Sequence, residues 1–208
     1  MKHLFISFLI LCQMLSCKSK DPSPFQDDNF EAIHQQFHGK YKIVSSVSSE
    51  PLDVNLDGSY SSDLLTEIDE LTTGTITSPY LEILISGSSN VNPEPSFLFV
   101  QAWPEQFVRL GSGKVWDGIE MILFNPDYSF AYDMKVVHRA FEFSNDRKNL
   151  HVETNDSEEP LFSQSSPKTV TVLNDGKLVV VANRRIYTSS GVKQVTVTTT
   201  YERFTMLT

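Results

Sequence analysis

Few stretches of this chain combine residue type and spacing in a way that does chemistry, and the clearest is Asp53-Val-Asn55-Leu-Asp57-Gly58. Oxygen-bearing side chains at alternate positions converge on one centre, and the glycine permits the sharp turn between them; this is the first half of a calcium loop. Calcium takes roughly six to eight oxygens. Asp53, Asn55 and Asp57 offer side-chain oxygens and Ser59 a backbone carbonyl. The glutamate that closes such a loop at its twelfth position is replaced by Leu64, and Glu67 reaches back only if the chain turns helical early. A second reading uses the same residues. Asx turns lead into a surface helix over 62–71, with Ser62 as N-cap, Asp63 and Glu67 near its positive end, and Leu64, Ile68 and Leu71 on one side.

Other groupings carry less. Gly111-Ser-Gly-Lys114 lacks the earlier glycine of a phosphate loop, because Val108 occupies that position, and Val115 replaces the hydroxyl residue after the lysine. His34 and His38 share a helical face without a third ligand, and there is no Gly-x-Ser-x-Gly elbow for a serine nucleophile. Carboxylates are plentiful, and a hydrolase built on two of them is an alternative that only their separation decides. Trp103, Trp116 and Phe130 are the aromatics whose side chains would line a cavity if the fold encloses one.

The elements that must position these groups are mostly strands. A short helix is expected over 28–37, with Phe30, Ile33 and Phe37 at helical spacing and Gly39 beyond its end. From Lys40 onward the pattern is strand. Val195, Val197 and Tyr201 fall on one face of the C-terminal stretch, while Thr196, Thr198, Thr200 and Glu202 fall on the other. Asn174-Asp-Gly176 and Ser189-Ser-Gly191 read as hairpin turns. Further hairpins are expected between 120–124 and 128–135, and between 141–143 and 150–152, with other strands at 41–47, 81–85 and 97–102. The fold class is all-β with minor α: an antiparallel meander of about eight to ten strands closing into a barrel. A two-sheet sandwich is the alternative.

The start of the chain points to an address. Lys2 is followed by an apolar run, Leu4 to Leu11, too short to cross a bilayer, which takes about 20 residues. Leu15-Ser16-Cys17 then resembles the lipobox of bacterial lipoproteins. That resemblance implies cleavage before Cys17, lipid (palmitate among its chains) on the Cys17 sulfur, and attachment to the cell membrane or outer membrane. Residues 1–16 are then the signal peptide, 17–27 the lipidated cysteine and a tether containing Pro22 and Pro24, and 28–208 a single domain. The other cysteine, Cys12, lies in the leader, so the domain has no disulfide and relies on its core. A formal charge of −9 argues against nucleic acid as a partner, since phosphate attraction dominates that binding, and leaves the Cys17 lipid as the only expected membrane contact.

The loop at 53–58, followed by Leu64-Leu-Thr-Glu-Ile68 and then the β meander, resembles bacterial lipocalin-like lipoproteins; Gly39-Lys-Tyr41 is similar to the Gly-x-Trp that opens lipocalin barrels. The resemblance spans about 38–204. It implies a barrel whose interior binds a small apolar molecule; the expectation of no enzymatic activity rests instead on the lack of a catalytic motif. Two expectations follow. One is a lipid-anchored, non-enzymatic envelope protein that binds a small hydrophobic or amphipathic ligand near Trp103, Trp116 and Phe130. The other is a structural or interaction module of the envelope, stiffened by calcium at Asp53, Asn55, Asp57, Ser59 and Glu67.

Overall fold

The structure, a computed structural model, describes residues 27–72, 79–87, 94–154 and 166–208. Cys17 and the leader lie outside the described residues. A helix, α1 (Asp27–Phe37), is followed by the strands β1 (Gly39–Leu52), β2 (Ser61–Asp63), β3 (Tyr80–Ser86), β4 (Ser96–Arg109), β5 (Ser129–Phe143), β6 (Asn149–Val152), β7 (Pro167–Val172), β8 (Leu178–Thr188) and β9 (Gly191–Thr205). One short helix, α2 (Leu64–Glu67), and a 3-10 turn (Asp69–Leu71) lie between β2 and β3.

The strands form one antiparallel sheet in the order β2-β1-β3-β4-β5-β6-β7-β8-β9, and β1 also pairs with β9. That last pairing runs from Lys40 opposite Thr205 to Ser48 opposite Val197, with a register shift between Ile43 and Ser45. Eight strands therefore close into a lipocalin-like barrel, with β2 as an extra strand. A sandwich would leave its first and last strands as edges, and here they are bonded to each other.

On its other side β1 changes neighbour. Gly39 to Lys42 pair with β3, whereas Val47 and Leu52 pair with Asp63 and Ser61 of β2. Because β3 is short, the wall beside the second half of β1 is completed by the segment 61–71 rather than by a long strand. Leu64, Ile68 and Leu71 bury there against Leu52, Val54, Trp103 and Ile186.

Alternation fills the interior. Leu178, Val180, Ala182, Arg184 and Ile186 of β8 are buried, as are Val195, Val197, Thr199 and Tyr201 of β9. At one rim, α1 lays Ile33 and Phe37 onto Tyr41, Leu81, Ile83, Phe141 and Leu178. A third cluster, Val108, Trp116, Tyr187 and Val192, forms where the long β4–β5 hairpin meets the β8–β9 turn.

Several sequence expectations change in detail. The helix over 28–37 begins at Asp27. The helix over 62–71 is broken into α2 and the 3-10 turn by Ile68, which is extended at φ −132° and ψ 95° so that its side chain joins the core. The N-cap is Asp63, not Ser62: the Asp63 carboxylate accepts from the Leu65 N–H at 3.0 Å. Residues 120–124 are not a strand. They form an irregular loop, held by the Trp116 indole donating to the Glu120 carbonyl at 2.8 Å and the Val192 N–H donating to the Ile122 carbonyl at 2.9 Å. Met121 and Leu123 stand in solvent, 56% and 83% exposed. The pieces at 128–135 and 141–143 meet in one strand, β5, whose residues Ser129–Ala140 pair one for one with β4, while Phe141–Phe143 pair with β6 as the expected second hairpin.

Glycine is required where α1 hands over to β1. Gly39 has φ +132°, and a Cβ there would lie 2.2 Å from the Thr205 carbonyl oxygen. Gly39→Ala is expected to destabilise the fold by about 2–4 kcal/mol. Gly176→Ala, at φ +81° with nothing within 4 Å, is expected to cost about 1 kcal/mol. Urea unfolding midpoints of the two variants check the difference.

Candidate functional site

Two places combine shape with polar chemistry, and the first is a recess at the α1 rim. Phe97 of β4 and Phe141 and Phe143 of β5 meet there edge to face, with ring centroids 5.1–5.9 Å apart. The ring of Phe37 from α1 lies 4.6 Å from that of Phe143. Strand alternation places 141 and 143 on the same face, and α1 brings its apolar side across them. Beside this aromatic floor lies a recess of about 700 Å³, bounded by Ile33, Phe97, Phe141 and Phe143 with Asn29, Glu142 and Arg147 at its margin. That volume falls in the range of small-molecule sites, about 300–1,000 Å³.

Hydrogen bonds fix the rim. The Tyr41 hydroxyl donates to the Phe37 carbonyl at 2.7 Å, capping the end of α1. Arg203 donates to the Gln35 and His38 carbonyls, and the Ile85 N–H donates to His38 Nδ1 at 3.1 Å. Arg147 is bonded to Asn29, joining the β5–β6 turn to the helix. The rings of His34 and His38 stack at 4.2 Å. Burial, then the neighbouring His34 and Arg203, hold the His38 imidazole below its ordinary value, which suits its role as an acceptor.

The second place is the loop between β1 and β2. The Asp57 N–H donates to Asn55 Oδ1 at 3.0 Å, and the Ser59 N–H donates to Asp57 Oδ1 at 2.7 Å. Asn55 Nδ2 donates to Asp57 Oδ2 at 3.1 Å. These are the Asx turns of the second sequence reading. The chain does turn helical early, and α2 brings Glu67 back so that its Oε2 accepts from the Val54 N–H at 2.8 Å. Asp53 and Glu67 are both buried, while Asn55, Asp57 and Ser59 are exposed. Among the described residues no three His, Cys, Asp or Glu side chains converge as a metal cluster.

Trp103, Trp116 and Phe130 do not line the recess. Trp103 is buried in the cluster beside α2, with the Arg184 guanidinium 3.9 Å over its ring. Trp116 belongs to the cluster at the β4–β5 hairpin, and Phe130 packs against that cluster with its ring edge-on to Tyr187. All three are packed in apolar clusters. The recess residues outside that expectation, Phe97, Phe141 and Phe143, carried only a partial signal: the alternate aromatics Phe141 and Phe143 on one strand face.

Between the apolar clusters the interior holds a polar layer. Gln101 donates to the Tyr201 hydroxyl at 2.9 Å, Ser46 and Thr199 share a hydrogen bond at 3.0 Å, and Arg184 donates to Glu105 at 2.5 Å. Family models, curated proteins and solved structures contain no match to this chain.

Burial pushes the Tyr201 hydroxyl up to about 12, although Gln101 and the Arg184 charge pull the other way; burial does the same at Tyr41, also to about 12. Both lie above the ordinary value of 10.0, so their contribution to stability is complete below pH 10 and is lost as the pH rises toward 12. Melting temperature against pH is expected to fall across that window. Tyr201→Phe should flatten the fall. It should also cost about 1–3 kcal/mol at neutral pH, because the Gln101 donor loses its acceptor.

Proposed function

We propose that this protein is a non-enzymatic, lipid-anchored protein of the cell envelope that binds a small amphipathic molecule in the recess at the α1 rim. The observation that carries the reading is the recess itself: about 700 Å³, with an aromatic floor and a margin of Asn29, Glu142 and Arg147. An apolar body would lie on Phe97, Phe141 and Phe143, and a polar end would meet the margin. Binding clefts commonly join a largely apolar wall to a few placed polar groups. In this reading the ligand lies beside the helix at the barrel rim and not next to Trp103, Trp116 and Phe130.

The anchor rests on the Lys2-to-Cys17 pattern and supplies the address. Two or more acyl chains, at about 0.8 kcal/mol per buried methylene, hold a domain firmly at a bilayer. The acidic surface then has no need to touch the headgroups.

Each half has its own test. Labelled palmitate is expected to enter the wild-type chain and not Cys17→Ser, which should move to the soluble fraction; label in the variant would remove the anchor. For the recess, the neutral dye Nile red is expected to bind with enhanced fluorescence and to be displaced by a long-chain lysolipid. Phe143→Ala should weaken dye binding by about tenfold, roughly the loss of one aromatic contact of 1.4 kcal/mol. No dye binding, or binding equal in the variant, would remove the recess from the reading.

A further inference from the structure

The loop between β1 and β2 carries a feature that its hydrogen bonds do not account for. Asp53 is 2% exposed, and its Oδ1 has no hydrogen-bond partner. Glu67 is 4% exposed and has one oxygen engaged, by the Val54 N–H. Among the described residues neither carboxylate has a lysine, arginine or histidine in ion-pair contact. Two buried carboxylates at one loop, one with an orphaned oxygen, are costly unless something positive meets them.

We infer that Asp53 and Glu67 are the fixed pair of a calcium site completed by Asn55 and Asp57. Asp53 holds the first position of the Asp-x-Asn-x-Asp-Gly pattern, and the Glu67 carboxylate is held next to it by the N–H of the following residue, Val54. Leu64, at the usual closing position, is fully buried in the core and cannot serve. The single turn of α2 replaces it with Glu67, three residues on. Glu67, Asp69 and Glu70 bring three carboxylates into four residues of this segment, an excess of negative charge beside the loop.

The donors are oxygens throughout, which selects a hard cation. Calcium tolerates an irregular shell of carboxylate, amide and carbonyl oxygens, whereas magnesium demands a small octahedron. Asp57 must release the Ser59 N–H or the Asn55 amide to turn an oxygen onto the ion. Such a rearrangement lowers affinity, and a dissociation constant of about 0.1–1 mM, in the range of extracellular calcium modules, is expected. The bound ion would brace the segment 61–71 that completes the wall beside β1.

The test is the melting temperature of the full chain in chelator, in calcium and in magnesium, each ion at about 5 mM. Calcium is expected to raise it by about 4 °C over chelator, with a smaller response to magnesium. Asp53→Asn and Glu67→Gln should each abolish the calcium response; the second keeps an acceptor for the Val54 N–H. Asp57→Ala, at an exposed position that leaves the core intact, should weaken the response at least about tenfold in calcium concentration. Terbium luminescence sensitised through Tyr60 should follow the same order. No calcium shift in the parent chain, a shift that survives in Asp57→Ala and either buried variant, or an equal shift with magnesium would overturn the site.

Discussion

The seam between β1 and β9 decides how the rest of the chain is used. A meander has two edges of unpaired N–H and C=O groups, each a template for another chain. Pairing Lys40 with Thr205 through Ser48 with Val197 satisfies both edges within the molecule. Closure has a geometric cost, since the strands must coil and tilt. The register shift between Ile43 and Ser45 accompanies that curvature, and Gly39 admits the Thr205 carbonyl where the seam begins.

A closed wall creates an interior that must be filled without leaving polar groups stranded. The chain meets most of this with three apolar clusters and a bonded polar layer between them, while Asp53 Oδ1, the Tyr132 hydroxyl and Arg185 Nε are left without a hydrogen-bond partner among the described residues. Arg184 shows how a charge is tolerated there: Glu105 accepts from its guanidinium and the face of Trp103 lies beneath it. Tyr201, fully buried, keeps its hydroxyl bonded to Gln101. Trp103 therefore does two jobs: it packs against the 61–71 segment and covers a buried cation.

The sequence made strands legible wherever one face is wet. The β9 run from Val195 to Tyr201 alternates as observed, and the two glycine turns on either side of β8 mark real hairpins. Continuous apolar stretches were harder. Met121 to Phe124 has the composition of a buried strand, yet what decides its structure is a tryptophan indole and one backbone contact from the β8–β9 turn. No local pattern announces either. Where the aromatics fall was hidden for a related reason: periodicity says which residues share a face, but not which end of a barrel that face meets. Closure by β1, and the helix resting on one rim, put Trp103 and Trp116 in separate packed clusters and bring Phe97, Phe141 and Phe143 together beside the recess. Glu67 was readable as a residue one helical turn too late for the loop, and the turn of α2 supplies the missing reach.

The irregular loop at 119–124 has a colloidal consequence. Ile119, Met121, Leu123 and Phe124 present apolar surface to water on a molecule with a formal charge of −9. At neutral pH, like charge keeps copies apart before these side chains can meet. Near the isoelectric point of about 5.0 that repulsion vanishes while the apolar tips remain. Solubility therefore depends on acidic groups distributed over the whole surface, and mild acid turns the tips into a sticking point between molecules that are still folded.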